Sequence, residues 1–428
     1  MSSVRQLYSL LTLRRNVWKK KSELLKIQEK KLRFLLKHAY ENVEYYHKIF
    51  NENGIKPDDI KTVEDLQKLP ISTKEDLRSN YPEKIVAKKY DINNCTLYRT
   101  SGSTGIPLTI VVDPKGNDYR AGLFGRSFFE GGLKPRDTMM FVGDARTFPT
   151  KLKWYQTLGF LRRVYFSAAE PVEKHIPKLL ETRPNVLYVY SSYLYLLAQA
   201  LKRNNITDFQ PNVVFSTAEM LGVKEREFIS SVFGARPLDL YGCVETERLA
   251  WECSEHVGYH MDIDSQVLEF VNGDSIVSAG EEGNIVVTCL YNYAMPLIRY
   301  NIGDIGIYMD EECSCGRGLP LMKSVLGRQN DMIVCPGGRK IISPVFINIM
   351  RAIPGVFQYK IIQKDLKHLN VLIVKDENYS DESLNKINLN IRLVVGNDME
   401  IEVSIVDEIE KESSGKIRAI VSNIQNVS

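Results

Sequence analysis

The sequence predicts an α/β protein: a large N-terminal domain of layered sheets with a small β subdomain, then a small α+β domain. Three observations predict it. From Leu97 to about Val287, short β-rich runs (139–142, 186–190, 213–215, 237–240) alternate with helix-like stretches, the order expected of helices layered on a sheet. Runs 285–288, 297–300 and 305–308 then follow closely, as in an antiparallel β subdomain. Composition shifts near Gly327, beyond which runs 357–363, 370–374 and 400–406 flank a helix-like 380–394. The expected boundaries are therefore 1–326, a connector at 327–331, and 332–428. A chain of 428 residues exceeds the usual single-domain size, which agrees with two domains.

Taken in order, residues 4–50 read as helical, with Leu7, Leu10 and Leu11, then Leu24, Leu25, Leu32, Leu35 and Leu36, supplying apolar faces. The Lys/Arg-rich surface of this segment fits a solvated helix face, or peripheral contact with acidic lipid or a partner. Helix starts are predicted at 57–60 and 72–77, the latter with a polar cap and an acidic first turn. The longest apolar stretch, 186–201, is interrupted by Ser191, Ser192 and Gln199. It is too short for a transmembrane span and reads as a buried helix. Residues 1–37 are rich in Lys and Arg and broken by charges throughout, so they do not read as an apolar h-region. A formal charge of +3 is too small to imply nucleic acid, and seven Cys in a chain this long do not form a secreted disulfide framework. The expected compartment is the cytoplasm.

Five segments carry chemistry. Thr100, Ser101, Gly102, Ser103, Thr104 and Gly105 form a loop rich in hydroxyls and glycines ahead of a β-rich run. Such a loop can turn N–H and O–H donors toward a phosphate chain, although an ordinary surface turn has the same composition. It is not a P-loop, because no Lys stands at the required spacing. In Asp239-Leu240-Tyr241-Gly242-Cys243-Val244-Glu245, Tyr241 could stack on a purine, Gly242 admits close backbone approach and Glu245 could ligate Mg²⁺. A strand-to-loop turn with a surface Glu is the plain alternative. Asp304, after Gly303, suits two ribose hydroxyls or a simple β-turn. Arg328 in Gly327-Arg328-Gln329-Asn330-Asp331 could reach a phosphate or ribose. Lys416, in Ser414-Gly415-Lys416, is a solvated charge or a cation for an acyl–phosphate junction.

In this order the five segments resemble the adenylate-forming ligases over nearly the whole chain. The nearest resemblance is to phenylacetate–CoA ligase-like proteins of the capsular-polysaccharide branch, carried also by 39–46, 69–74, 294–300 and Cys313-Ser314-Cys315-Gly316-Arg317. The resemblance implies a large adenylation domain and a small mobile C-terminal lid, with Asp331 as hinge. It implies ATP and Mg²⁺, a small carboxylic acid substrate, an acyl-adenylate with release of pyrophosphate, and acyl transfer to CoA or an amine. Glu245, Thr104 and Lys416 would be catalytic. Ser216, Ala218 and Glu219 would lie beside the adenine and the acyl carboxylate. Leu108 stands where many relatives have Lys, so this loop offers donors rather than charge. An acyl pocket is expected around 141–144, 190–193 and Phe215.

Cys253, His256 and His260 fall within eight residues, and Cys313 and Cys315 follow. Cys253, His260, Cys313 and Cys315 could close a structural tetrahedral Zn²⁺ site; reduced buried thiols are the alternative. His260 is chosen over His256 because Gly258-Tyr259-His260 resembles a pattern in relatives. Two other functions stay open: an adenylyltransferase that transfers no acyl group, and a non-catalytic nucleotide-binding relative.

Overall fold

The structure is a computed structural model that describes residues 2–100, 108–143, 145, 148–151, 153–168, 170–328, 332–341, 345–346, 349–350, 352–410 and 418–424. The chain divides into two units, one built from 1–134 and 238–325, the other from 135–237 and 326–428.

The first unit opens with α1 (Ser2–Asn16), α2 (Lys21–Asn42), α3 (Glu44–Glu52) and the short α4 (Lys74–Ser79). The single long helical segment expected at 4–50 is thus broken twice. Thr73 caps α4 by accepting from the Asp76 N–H at 3.2 Å, and the Asp76 carboxylate in turn accepts from the Thr73 N–H at 2.8 Å. The start expected at 57–60 yields only a single 3₁₀ turn, Pro57–Asp59. A ribbon of β1 (Thr96–Arg99) and β2 (Thr109–Val112) precedes α5 (Pro114–Glu130), whose first turn is capped by Asp113.

The second unit begins with β3 (Thr138–Gly143), α6 (Trp154–Thr157), β4 (Arg162–Ser167), α7 (Ile176–Thr182), β5 (Val186–Tyr190), α8 (Ser191–Arg203), β6 (Val213–Thr217) and α9 (Val223–Phe233). Strands β4, β3, β5 and β6 are parallel neighbours, as the alternating pattern requires. The stretch 186–201 is therefore not one helix. Its first five residues are a β-branched, aromatic strand, and the chain turns into α8 at Ser191.

The chain then returns to the first unit. It forms β7 (Leu238–Cys243), β8 (Glu247–Glu252), β9 (Tyr259–Met261), β10 (Gln266–Asn272), β11 (Ser275–Ile276), β12 (Glu282–Cys289), β13 (Tyr300–Met309) and β14 (Leu321–Arg328). Their lateral order is β11-β10-β12-β13-β14-β9-β8-β7. Residues 297–299 lie outside strand; β13 begins at Tyr300 because Arg299, at φ +47°, breaks the extended run. Back in the second unit, β15 (Ile333–Val334) and β16 (Lys340–Ile341) pair. A sheet of β17 (Val356–Gln363), β18 (His368–Lys375), β19 (Glu400–Ile405) and β20 (Ile420–Ser422) packs on the helix Asp381–Val395 through Ile387, Ile391 and Val395.

Helix α1 contradicts its expected polarity. Leu7 and Leu11 are exposed, with Val4 and Tyr8 beside them, and Leu13 is the buried leucine of this helix. What seats α1 is a close, parallel crossing with α5. Ser2, Arg5 and Gln6 all bond Asp118, and Arg14 meets Glu130 at 2.9 Å. Between these ends Gly122 leaves no room: a Cβ there would lie 2.8 Å from the Leu10 nitrogen and the Ser9 Cβ. Below the crossing, Arg126 is fully buried between Asp262 and Asp264, and Asn16 Nδ2 donates to Asp264 at 2.9 Å. Burial works against both carboxyls. Asp262 ends up raised, to about 7, whereas Asp264, facing Arg126, Lys31 and Asn16, ends up lowered.

Gly122→Val should therefore cost about 1–3 kcal/mol, the usual penalty of overpacking, because backbone rather than a flexible side chain blocks the new Cβ. Chemical denaturation reads this; unchanged stability would mean that the α1–α5 crossing is not that tight.

Candidate active site

The Tyr-Gly-x-x-Glu segment folds as a tight hairpin. Strand β7 ends at Cys243, β8 begins at Glu247, and Glu245 sits at the turn between them. The register slips between Tyr241 and Gly242, a β-bulge. Gly242 is needed there because an added Cβ would meet the Glu247 carbonyl oxygen at 2.2 Å. The sequence reading took Gly242 as an approach point for ligand; the backbone that approaches it is the hairpin's own.

The turn is held from several sides. The Arg120 guanidinium donates to the Val244 carbonyl at 2.8 Å, approaches Glu247 at 3.1 Å and lies 4.1 Å from the Tyr98 ring centroid. The Tyr291 hydroxyl donates to the Thr246 carbonyl at 2.7 Å. Glu245 itself is largely buried, and the Tyr300 hydroxyl donates to its Oε1 at 3.2 Å. Burial, with Glu245 adding to it, pushes the Cys243 thiol far up, which disfavours the thiolate.

Sixty-three residues further on, Asp304 on β13 accepts from the Tyr241 hydroxyl at 2.8 Å. Asp239 accepts from the Tyr259 hydroxyl at 2.7 Å, while its own N–H donates to Glu252 at 2.8 Å. Arg299, just before Tyr300, is buried against Glu269 and donates to the Leu69 carbonyl, which anchors the start of β13. The first unit thus brings together Asp239, Tyr241, Gly242 and Glu245 on one hairpin, with Asp304 bonded to it.

Thr100 is buried at the mouth of the hydroxyl-rich loop. Its N–H donates to the Leu108 carbonyl, and its hydroxyl accepts from the Leu108 N–H, both at 3.0 Å. The ends of that segment are therefore tied. Ser101, Gly102, Ser103, Thr104 and Gly105 lie outside the described residues, as do Asp331 and Lys416.

The remaining predicted site residues belong to the second unit. Ser216 is buried at the end of β6, and Ala218 adopts φ +68°, an uncommon conformation for a residue with a Cβ. Glu219 closes the N-terminus of α8: its Oε2 accepts from the Ser192 N–H at 2.7 Å, and its carbonyl accepts from Ser191 at 2.9 Å. Arg328 is exposed at the end of β14. Of the expected acyl-pocket residues, Phe215 and Tyr193 are packed in the core, and Tyr193 bonds His175. Phe141 is partly exposed and lies 5.5 Å from the partly exposed Tyr165, itself 4.9 Å from Phe148, and 5.0 Å from the buried Tyr188.

Apart from this site, Cys253, His260, Cys313 and Cys315 converge, with ligand atoms all within 4.8 Å of one another. His256 is not in that cluster; it faces Glu252 at 3.9 Å. Sequence reasoning missed Arg120 and Tyr259 and gave Tyr300 no role. Arg120 lies in a helical run like any other surface Arg, and nothing local shows which carbonyls it will meet.

A family model for the CapK C-terminal domain matches residues 333–423. The chain is 26% identical over 423 residues to a phenylacetate–coenzyme A ligase of Aromatoleum evansii, covering 93% of this chain and 94% of that protein. It is 23% identical over 422 residues to protein CapK of Staphylococcus aureus, covering 94% and 90%. Among solved structures, a 2-hydroxyisobutyryl-CoA ligase with a bound acyl-AMP superposes with TM-score 0.79 at 19% identity over 96% of this chain and 91% of that one; it shares the fold. Along most of its length the chain is thus similar to phenylacetate–coenzyme A ligases and to protein CapK, and over 333–423 to the CapK C-terminal domain, on the fold of an acyl-CoA ligase.

Proposed function

We propose that the protein activates a small carboxylic acid with ATP and passes the acyl group to CoA or an amine. The carboxylate oxygen attacks the α-phosphorus, and the bond to the β-phosphate oxygen breaks, giving acyl-adenylate and pyrophosphate. A thiol or amine then attacks the acyl carbon, and AMP leaves. The observation that carries this reading is the Tyr241–Asp304 bond beside the Glu245 turn. A ribose needs an acceptor of fixed orientation, and a donor on one carboxylate oxygen supplies that. Residues 101–105, with Thr104, would donate to the phosphates, and Arg328 would reach a phosphate or ribose.

Glu245 fits a Mg²⁺ site, being a hard oxygen ligand oriented by Tyr300. The ion, when bound, would screen the repulsion between the two anions that must meet. Lys416 would place an ammonium at the acyl–phosphate junction. Rotation of the lid, 332–428, about Asp331 would withdraw it and admit the acceptor. Ser216, Ala218 and Glu219 would border the adenine and acyl carboxylate, and the partly exposed Phe141, Phe148 and Tyr165 would face an aromatic or polar acid.

A role in surface polysaccharide assembly, with an amino sugar as acceptor, draws support from the CapK likenesses. No helix among the described residues is long and apolar enough to cross a membrane. The exposed Val4, Leu7, Tyr8 and Leu11 fit peripheral contact with acidic lipid or a partner. Use of ATP and seven free thiols accord with the cytoplasm. The reading also takes a zinc ion at the Cys/His cluster, away from the chemistry.

A pyrophosphate-release screen across carboxylic acids, with and without CoA, tests this directly. Pyrophosphate with no acyl-transfer product would favour an adenylyltransferase, and ATP binding without turnover a non-catalytic relative. Lys416→Ala and Glu245→Gln should each lower adenylate formation roughly 10²–10³-fold, the scale of losing one transition-state charge contact. Lys416→Ala should leave ATP affinity nearly intact, and full activity in either variant refutes that residue's role. Arg120→Met strips the turn of its cation, so unfolding free energy should drop by on the order of 3 kcal/mol in urea titrations.

A further inference from the structure

We infer that Cys253, His260, Cys313 and Cys315 hold one four-coordinate zinc ion that acts as a clasp, seating the N-terminal helix α1 in the first unit. This extends the zinc part of the proposed function and is independent of its chemistry.

The distances suit a single ion. Cys253 and Cys313 Sγ are 3.6 Å apart, and Cys315 Sγ lies 3.4 Å from His260 Nε2. With the usual Zn–S and Zn–N bond lengths, a regular tetrahedron has S···S edges of about 3.8 Å and S···N edges of about 3.6 Å. The imidazole is set for the task. His260 Nδ1–H donates to the Leu319 carbonyl at 3.3 Å, which leaves the Nε2 lone pair turned toward the thiols. Three thiolates and a neutral imidazole would leave the filled site with one net negative charge. The Arg317 guanidinium beside Cys315 offsets it. Four protein ligands leave no coordination position for substrate, so the ion is structural.

The four ligands come from two places in the chain: the 253–260 segment around the start of β9, and the turn at 313–315 ahead of β14. Among the described residues these two strands pair over a short register, Leu321 with His260 and Met322 with Tyr259. The turn continues directly into the contacts that seat α1. Arg317 bonds the Glu130 carboxylate and carbonyl at 3.1 Å and lies over Trp18 at 4.9 Å and Trp251 at 5.4 Å. The Gly318 N–H donates to the Val17 carbonyl at 2.9 Å, and an added Cβ at Gly318 would strike the Lys19 carbonyl at 1.9 Å. A short turn with little apolar burial of its own cannot hold this geometry well by itself. Zinc would fix its root at two points, Cys313 and Cys315, and so fix Arg317 and Gly318 under the end of α1.

Metal analysis of the full-length protein, purified without chelator, should find about one zinc per chain. Cys313→Ser and Cys315→Ser should lose it, while Cys289→Ser, a buried thiol elsewhere, should keep it. A zinc-selective chelator applied to the wild-type chain should lower Tm by on the order of 10 °C, shift tryptophan emission and expose α1 to protease, with added Zn²⁺ reversing all three. Metal-free protein with a Cys253–Cys313 disulfide, or Cys315→Ser with full zinc, overturns the site. Zinc loss that leaves α1 as protected as before overturns the clasp. Pyrophosphate release assayed on the same wild-type preparations separates these results from the fate of the proposed reaction.

Discussion

The site depends on one steric constraint, the passage of the Glu247 carbonyl past Gly242, where an added Cβ would lie 2.2 Å from the oxygen. That approach lets β7 and β8 turn within three residues and puts Glu245 on a short, stiff loop. Arg120 and Tyr291 then bond the turn's carbonyls, and Tyr300 orients the carboxylate. A carboxylate held this way is preorganised, the property that the proposed Mg²⁺ and nucleotide site would draw on. The same bulge rotates Tyr241 relative to its hairpin partner, and its hydroxyl meets Asp304.

Around the site, the first unit uses buried charge as a locating device. Arg126 joins α5 to the 262–264 turn, Asn16 brings in the end of α1, and Lys31 of α2 donates to the Asp264 carbonyl at 2.6 Å. Arg299 does the same for the start of β13 through Glu269 and Leu69. Desolvation offsets much of the attraction in such pairs, so their net stabilisation is modest. Breaking one is costly, because the remaining charge is left buried and unpaired.

Much of the fold was legible in the sequence because it rests on local pattern. The parallel strands of the second unit, the hairpin strands and the C-terminal sheet with its helix follow hydrophobic runs whose period survives any tertiary context. The failures were equally physical. At 186–201 an apolar run long enough for a helix holds a strand and a helix end to end, and hydrophobicity alone cannot place the break. In α1 the leucine spacing was helical, but two of those leucines face outward, since glycines on α5 and ion pairs at both ends decide which side packs.

By itself the sequence determined the class of fold, the order of the motifs and the chemistry their side chains can supply. Those properties belong to residue type and spacing. It also offered Cys253, His260, Cys313 and Cys315 as a set, with His260 taken over His256 through a resemblance to relatives, and the structure brings the four together. Only the tertiary structure decided that Arg120 would grip the turn, that Tyr259 would bond Asp239 and Tyr300 would bond Glu245, and that the Glu247 carbonyl would pass close to Gly242. Each of those facts is a contact between segments remote in sequence, set by strand register and bulge geometry, which no local pattern encodes.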